Sequence, residues 1–415
     1  MSTLSAFIKD FYRNDGFWVF GSFFVQKLLA FATTLVIVHF LSKDEFGLLS
    51  IVPAVFTMFA PFTGFGFPVT LLRYGSLLKG KEQKDSFSNT VFREGFYFQI
   101  LLSALFLLVS VFFVEKYQDI FIIFVAFAVR LFGSLLMSHI PVVYRINFEN
   151  RKFSVFNIFL AVIGFVLAVL GSYFWGFYGY LSAMAIHPFF SLFWYSKKFF
   201  KFKAHFYFFN KNELYRFSLY SAITNFGSEL LFAADILLLS YFLTESSVAL
   251  YKVAILLPSN VVFIAQSFLQ SDYPKISVQS KNYQYLRNYI VQFYKIFVPV
   301  CVLIFTITVV FRNQIISVLF GGQYLNAVPM FVVLTASFLI SMLLRILFGN
   351  LLSAIGKMNL VTYATLISVV VLVLLSFFLV PKFAETGMVY SMSLALTFCG
   401  VALAFLFFRE LNKLK

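Results

Sequence analysis

Runs of about twenty apolar residues recur along the whole chain, and a helix of that length spans the hydrocarbon core of a bilayer. Charged residues make up only 12% of the chain and hydrophobic residues 61%, against about 25% charged residues in ordinary soluble domains. The first run is too long for a cleaved signal peptide and lacks a small-residue cleavage site, so it is interpreted as a spanning helix. The sequence predicts an all-α polytopic membrane protein with twelve spans, near residues 17–41, 46–72, 91–114, 120–143, 154–174, 177–195, 217–243, 248–270, 290–311, 326–349, 358–380 and 385–408.

Lysine and arginine are concentrated on one side of the predicted membrane. With the N-terminus in the cytoplasm, 24 of the 32 residues fall in cytoplasmic segments, 4 in outer segments and 4 inside spans. Cytoplasmic loops of membrane proteins collect these residues, so both termini are predicted to be cytoplasmic. The same rule accounts for the net charge of +15 without a nucleic-acid partner. Cys301 and Cys399 lie inside apolar runs and say nothing about redox compartment or metal.

The start of the chain has a counterpart 202 residues later. Residues 40–42, FLS, align without a gap with residues 242–244, FLT, and in the same register Lys27 aligns with Glu229. A duplicated membrane unit with opposite charges at matching midpoints suggests a transporter whose halves face each other across a substrate path. The predicted domains are an N-terminal six-helix bundle (1–195), a cytoplasmic connector (196–216) and a C-terminal six-helix bundle (217–415).

Charged residues inside the spans are the candidate site residues. A charge at mid-bilayer costs roughly 2.5–3.5 kcal/mol on insertion scales, so such residues usually face a cavity or a partner. At 1.5 Å per residue, Lys27, Glu229 and Arg130 lie about 15–18 Å from the start of their spans. The in-span cations are Lys27, Arg130, Lys252 and Arg345, and the in-span acids are Glu229 and Asp235.

Five of these six charges, all except Arg130, also have a structural interpretation. Lys27 could pair with Glu229 across the halves, Asp235 could pair with Lys252, and Arg345, about one turn from the cytoplasmic end of its span, could extend to the membrane surface. Four cations against two acids leave positive charge that pairing cannot neutralise. An unpaired buried cation is costly, and this surplus predicts a cationic cavity that receives an anion.

Other features limit the chemistry. Pro53, Pro61 and Pro68 interrupt span two and Pro258 interrupts span eight, and each either forms a bending gate or shapes the helix for packing. No phosphate-binding loop ending in Lys-Ser or Lys-Thr is present, and the four histidines have no metal-ligand spacing. The sequence predicts no enzyme activity, no cofactor and no metal site.

Several short segments form an ordered series of motifs. They are LSKDEFG at 41–47, GFP at 66–68 followed by LRY at 72–74, LFGGQY at 319–324, NLLSAIGK at 350–357, and VPK at 380–382 through Gly387. In order and spacing they resemble the Wzx-like polysaccharide (O-antigen) flippases of the multidrug/oligosaccharidyl-lipid/polysaccharide (MOP) exporter superfamily. Ala249 departs from the pattern, since the first copy has Gly47 there. The resemblance implies two six-helix bundles in a V-shape, as in MATE transporters, around a central cavity.

The resemblance also implies a function in polysaccharide or lipopolysaccharide biosynthesis. The expected substrate is an undecaprenyl-pyrophosphate-linked oligosaccharide, moved from the cytoplasmic to the outer leaflet of the bacterial inner membrane by alternating access. Expected substrate-binding residues are Lys27, Arg130, Arg345 and Lys252, and Glu229 or Asp235 would take up a coupling proton or sodium ion. Membrane lipid and other polysaccharide-assembly membrane proteins are the expected partners.

Three other functions are compatible with parts of the sequence. A multidrug exporter on the same fold would favour a cavity with net negative charge, whereas the in-span charges here are net positive. A membrane enzyme that polymerises lipid-linked sugars would need a sizeable outer loop, and the longest outer connector is 312–325. A scaffold without transport would leave the midplane charges unexplained.

Overall fold

A computed structural model describes residues 15–40, 52–53, 55–115, 120–194, 209–243 and 245–414. Within these ranges the chain is helical with short connections and contains no strand, which confirms the predicted all-α class. Residues 1–14, the 41–47 junction and most of the 196–216 connector lie outside the described residues.

The helices follow the predicted spans closely. The first half of the chain contains α1 (Gly16–Phe40), a 3₁₀ segment (Ala60–Gly66), α2 (Phe67–Gly75), α3 (Lys81–Val109), α4 (Val111–Val114), α5 (Ile120–Ile146), α6 (Asn150–Ile186) and a 3₁₀ segment (His187–Trp194). The second half contains α7 (Lys211–Phe242), α8 (Glu245–Val261), α9 (Phe263–Val278), α10 (Tyr283–Phe320), a 3₁₀ segment (Gly322–Ala327), α11 (Val328–Ser341), a π-helical segment (Met342–Ile346), α12 (Leu347–Ala354) and α13 (Met358–Asn412).

Eight helical stretches of the described residues are long and apolar enough to cross a membrane. Two of them, 150–194 and 358–412, each cover two predicted spans, because the helix direction changes sharply at Gly176 (φ 56°, ψ −135°) and at Ala384 (φ 50°, ψ −131°). With α1 and α7, these stretches account for all twelve predicted spans.

The two sharply bent helices have the same construction 208 residues apart. Three residues after each bend, a glycine, Gly179 or Gly387, lies against a backbone carbonyl of the preceding arm, that of Gly171 or Leu379. A Cβ atom at either glycine would overlap that carbonyl. Each bend therefore forms a hairpin whose arms touch through their backbones, and the match supports the internal repeat.

Two compact units divide the described residues, one running up to Phe226 and the other from Gly227 onward. The boundary falls inside α7, whereas the sequence-based division at 195 and 217 stays a prediction. Helix α5 is central to the first unit, where it packs against α2, α3 and α6. Helix α11 is central to the second unit, where it packs against α8, α10 and α13.

The cores of the units differ in composition. The first is rich in phenylalanine, with edge-to-face contacts such as Phe56 on Phe127 at 5.5 Å and Phe59 on Phe106 at 5.3 Å between ring centroids. The second is built mainly from leucine, methionine, valine and alanine. Aromatic pairs prefer such tilted arrangements, so part of the high phenylalanine content serves packing within the bundle.

Candidate functional site

Arg130 occupies the middle of the first unit. It lies ten residues after the start of α5, about 15 Å along the helix. Its Nη1 donates to the carbonyl of Met184 at 3.3 Å and lies 3.3 Å from the Met184 sulfur, and the guanidinium carbon lies 5.8 Å from the centroid of the Phe56 ring. All of these partners are neutral, and no carboxylate of the described residues forms a salt bridge with Arg130. No described carboxylate therefore compensates the charge of this half-buried guanidinium.

Lys27 lies near the centre of α1, and its side chain is exposed. Helix α1 packs along α6 through Phe23 on Phe153 and Phe40 on Tyr173, both at 5.9 Å. Within the described part of its own unit, Lys27 forms no salt bridge. The Lys27–Glu229 pair would join residues of different units, and it stays a prediction.

Span two is broken close to Arg130, between Pro61 and Pro68. Thr63 leaves the helix (φ −48°, ψ 125°), and the next three residues, Gly64, Phe65 and Gly66, have φ of 55°, 55° and 74°. The break confirms that this span is interrupted. Whether it bends during function stays a prediction.

Asp235 is fully buried in the second unit, within a cluster that includes Leu231 and Leu239. Its carboxylate accepts a hydrogen bond from the Tyr251 hydroxyl at 2.8 Å and one from the backbone N–H of Ile236 at 2.7 Å. Tyr251 is itself fully buried.

The suggested Asp235–Lys252 pair is wrong for this structure. Lys252 is exposed, and Asp235 is bonded to Tyr251, the preceding residue of α8. Consecutive residues of an α-helix point about 100° apart, because one turn takes 3.6 residues. Tyr251 therefore faces the buried acid, and Lys252 faces away from it.

Arg345 lies deeper in its span than predicted. Its helix continues nine residues further, to Ala354, or about 14 Å. The half-buried side chain bonds through Nη2 to the Ser228 hydroxyl at 3.3 Å instead of extending to the membrane surface. Arg345 belongs to a π-helical segment, a feature that often marks functional sites. Glu229, the residue after Ser228, is exposed.

The structure thus brings Arg345 beside the residue preceding Glu229, and Asp235 against the residue preceding Lys252. Sequence reasoning missed Ser228 and Tyr251 because it considered only ionised side chains as partners. One signal could have found Tyr251. This residue lies about two turns after the start of α8, and Asp235 lies about two turns before the end of α7.

His139 and His187 of the first unit are packed against hydrogen-bonding partners. The Nε2 atom of His139 lies 3.0 Å from the Ser88 hydroxyl, and that of His187 lies 2.9 Å from the Leu160 carbonyl. Among the described residues, no group of three or more His, Cys, Asp and Glu side chains could hold a metal ion.

Comparison with known proteins identifies relatives in sequence and in structure. The sequence pattern of a family described as "Polysaccharide biosynthesis protein" matches residues 36–329. A protein of Haloferax volcanii named "Probable low-salt glycan biosynthesis flippase Agl15" is 25% identical over 184 residues, which cover 43% of this chain. The match spans 38% of the length of that relative.

Solved transporters share the fold at low sequence identity. The Vibrio cholerae MATE transporter VcmN in the bent form is similar with a TM-score of 0.79 and 13% identity, over 100% of this chain and 99% of that one. A MOP superfamily transporter from Pyrococcus furiosus, described as having a binding pocket of reverse polarity, is similar with a TM-score of 0.75 and 13% identity, over 96% of this chain and 95% of that one. These similarities confirm the predicted fold class.

Proposed function

This chain belongs to the polysaccharide biosynthesis protein family, and we propose that it is a flippase for a lipid-linked oligosaccharide. The membership agrees with the resemblance to polysaccharide flippases of the MOP superfamily. The proposed substrate is an oligosaccharide linked to undecaprenyl pyrophosphate. It would cross by alternating access from the cytoplasmic to the outer leaflet of a bacterial inner membrane, with both protein termini in the cytoplasm.

The environment of Arg130 carries this proposal. A pyrophosphate is costly to bring into hydrocarbon, and a guanidinium is suited to phosphate because its fork of N–H donors binds two oxygens at once. The contacts of Arg130 are a carbonyl, a thioether and an aromatic ring. A phosphate can replace such neutral partners with a gain in electrostatic energy, whereas a carboxylate partner would compete with it.

The other in-span charges receive proposed roles by position. Lys27, at the centre of α1, would bind a phosphate or an acidic sugar, and Arg345 and Lys252 are the substrate-binding residues proposed in the second unit. Asp235 or Glu229 would take up the coupling proton or sodium ion, since acids inside the spans of transporters often serve as ion sites. Other membrane proteins of polysaccharide assembly would deliver or receive the glycan.

Substitution of Arg130 by methionine tests the proposal. Loss of a bond between charged partners removes about 1.5–3 kcal/mol, so binding of undecaprenyl pyrophosphate to the purified protein should weaken roughly 10- to 150-fold. Folding should change little, because the lost contacts join Arg130 to neutral groups only.

Arg151→Met is the matched control. Arg151 is exposed and stacks on Trp18 at 5.4 Å, so its loss removes an arginine–aromatic contact near the start of α6 and leaves the middle of the span intact. Binding and surface glycan should stay near wild type. Unchanged pyrophosphate affinity in Arg130→Met would contradict the proposal, and export of a cationic dye by the wild-type protein would favour a multidrug exporter instead.

A further inference from the structure

The break in span two is strained. Left-handed backbone is costly for a bulky residue, about 1–3 kcal/mol, and Phe65 adopts it between two glycines that do so readily. Its ring stacks on Phe98 of α3 at 4.3 Å between centroids. A strained conformation inside a membrane span persists only where its neighbours hold it. This break has neighbours in α3, α5 and α7, and at α7 Gly66 lies against the Ser218 carbonyl.

Gln99 of α3 holds the break by both ends of its amide. Its Oε1 accepts the backbone N–H of Gly64 at 2.7 Å, and its Nε2 donates to the carbonyl of Leu131 at 2.5 Å. Gln99 is fully buried. In lipid an N–H released from a helix must find a partner inside the protein, and for Gly64 that partner is Gln99.

The hydroxyls of Thr63 and Ser134 form a second link between the break and α5, beside the amide of Gln99. The Ser134 hydroxyl donates to the same Leu131 carbonyl at 2.6 Å and lies 3.1 Å from the Thr63 hydroxyl. Gly64 fits against this turn of α5, because a Cβ atom there would lie 2.7 Å from Cδ1 of Leu135. Two polar links thus join the break to one carbonyl, and that carbonyl belongs to the residue after Arg130.

We propose that Gln99 is a positioning residue that couples the occupancy of Arg130 to the shape of the break in span two. The inference rests on the proposed function, since it takes the pyrophosphate as the ligand of Arg130. When the anion draws the guanidinium from the Met184 carbonyl, the turn of α5 at 130–134 shifts. Gln99 carries the shift to the Gly64 N–H, and the strained residues 63–66 respond.

This mechanism requires both bonds of the amide, and two variants separate it from a packing role. Gln99→Met keeps the length of the side chain and removes both bonds. Ser134→Ala removes the weaker link and little volume, and it serves if Gln99→Met does not fold. The matched control is Ser88→Ala. It also removes a buried side-chain bond between α3 and α5, the one to His139 at 3.0 Å, and Ser88 lies about 16 Å before Gln99 along α3.

The experiment measures binding, shape and transport on the full chain. Spin labels are attached at Met58→Cys and Lys79→Cys, two exposed sites before and after the break. The distance between the labels, measured by electron paramagnetic resonance, reports the shape of the break. Undecaprenyl pyrophosphate is the probe. Wild type and Ser88→Ala should show a change in label distance on binding.

Gln99→Met should bind the probe within about threefold of wild type and show no change in label distance. Transport should fall about tenfold, as expected when both bonds of the coupling amide are lost. Ser134→Ala should show the same defect in weaker form. Normal binding together with a wild-type distance change and transport in Gln99→Met would overturn the role of Gln99 alone. Failure of the wild-type protein to bind the probe, or binding that does not depend on Arg130, would overturn the proposed function as well.

Discussion

The bond between Tyr251 and Asp235 gives the sharpest test of the second unit. Tyr251→Phe removes one oxygen and keeps the ring, so it opens no sizeable cavity in a site where both side chains are fully buried. The carboxylate then keeps the backbone N–H groups of Ile236 and of Asp235 itself as donors, and loses its side-chain donor. A hydrogen bond to a charged group contributes about 1.5–3 kcal/mol, and we expect the unfolding free energy to fall by about 2 kcal/mol.

A double-mutant cycle isolates this bond. In an Asp235→Leu background there is no acceptor, and Tyr251→Phe should then cost well under 1 kcal/mol. The coupling energy is expected to be about 1–2 kcal/mol. The measurement is equilibrium unfolding of the purified protein in mixed detergent micelles, with Asp235→Asn as a third variant that removes the charge and keeps an acceptor oxygen.

Transport supplies the functional half of the test. If Asp235 takes up the coupling ion, Asp235→Asn should lose the dependence of transport on the proton or sodium gradient while it still binds undecaprenyl pyrophosphate. Additive effects of Tyr251→Phe and Asp235→Leu would refute the structural reasoning. Gradient-dependent transport in Asp235→Asn would refute the coupling role.

Two further predictions concern stability. Ala384→Gly should raise the unfolding free energy by about 1 kcal/mol, because Ala384 has a φ of 50° where the first hairpin has Gly176. The reciprocal Gly176→Ala should lower the unfolding free energy, and unfolding of both variants in detergent measures the two changes. Lys84→Met should destabilise the first unit by about 1–2 kcal/mol, because the buried Lys84 donates to the Ile146 carbonyl at 2.6 Å, at the end of α5. The control Lys79→Met, at an exposed site, should have no effect, and an equal loss of unfolding free energy in both variants would contradict the role of Lys84.

The fold could be predicted because its main determinant is local. Length and hydropathy of each run decide whether it crosses the membrane, and ten of the twelve predicted spans lie in described stretches that are long and apolar enough to cross. Helix ends were less well predicted. The span ending near 349 in sequence continues to Ala354, because Asn350 and Ser353 lower the hydropathy without stopping the helix, and this placed Arg345 too near the surface.

The contacts of the candidate residues could not be predicted in the same way. A single helical position decides whether Tyr251 or Lys252 faces Asp235, and hydropathy does not resolve one position. Gln99 was missed because an uncharged amide in an apolar run carries no charge signal. The prolines correctly marked span two as interrupted, but the turn itself falls at Gly64–Gly66, where left-handed backbone is needed.

The backbone contact within each hairpin has a consequence for biogenesis. The two arms of the first hairpin touch at Gly171 and Gly179, so no polar linker separates them. Without such a linker the arms should not insert into the membrane in two separate steps. Residues 150–194 should therefore leave the translocon as one paired insert, and so should 358–412. A reporter protein fused at Gly176 would separate the first arm from its partner, and the reported orientation of that arm in the membrane would then be wrong. Topology mapping should therefore use fusion sites outside these two hairpins.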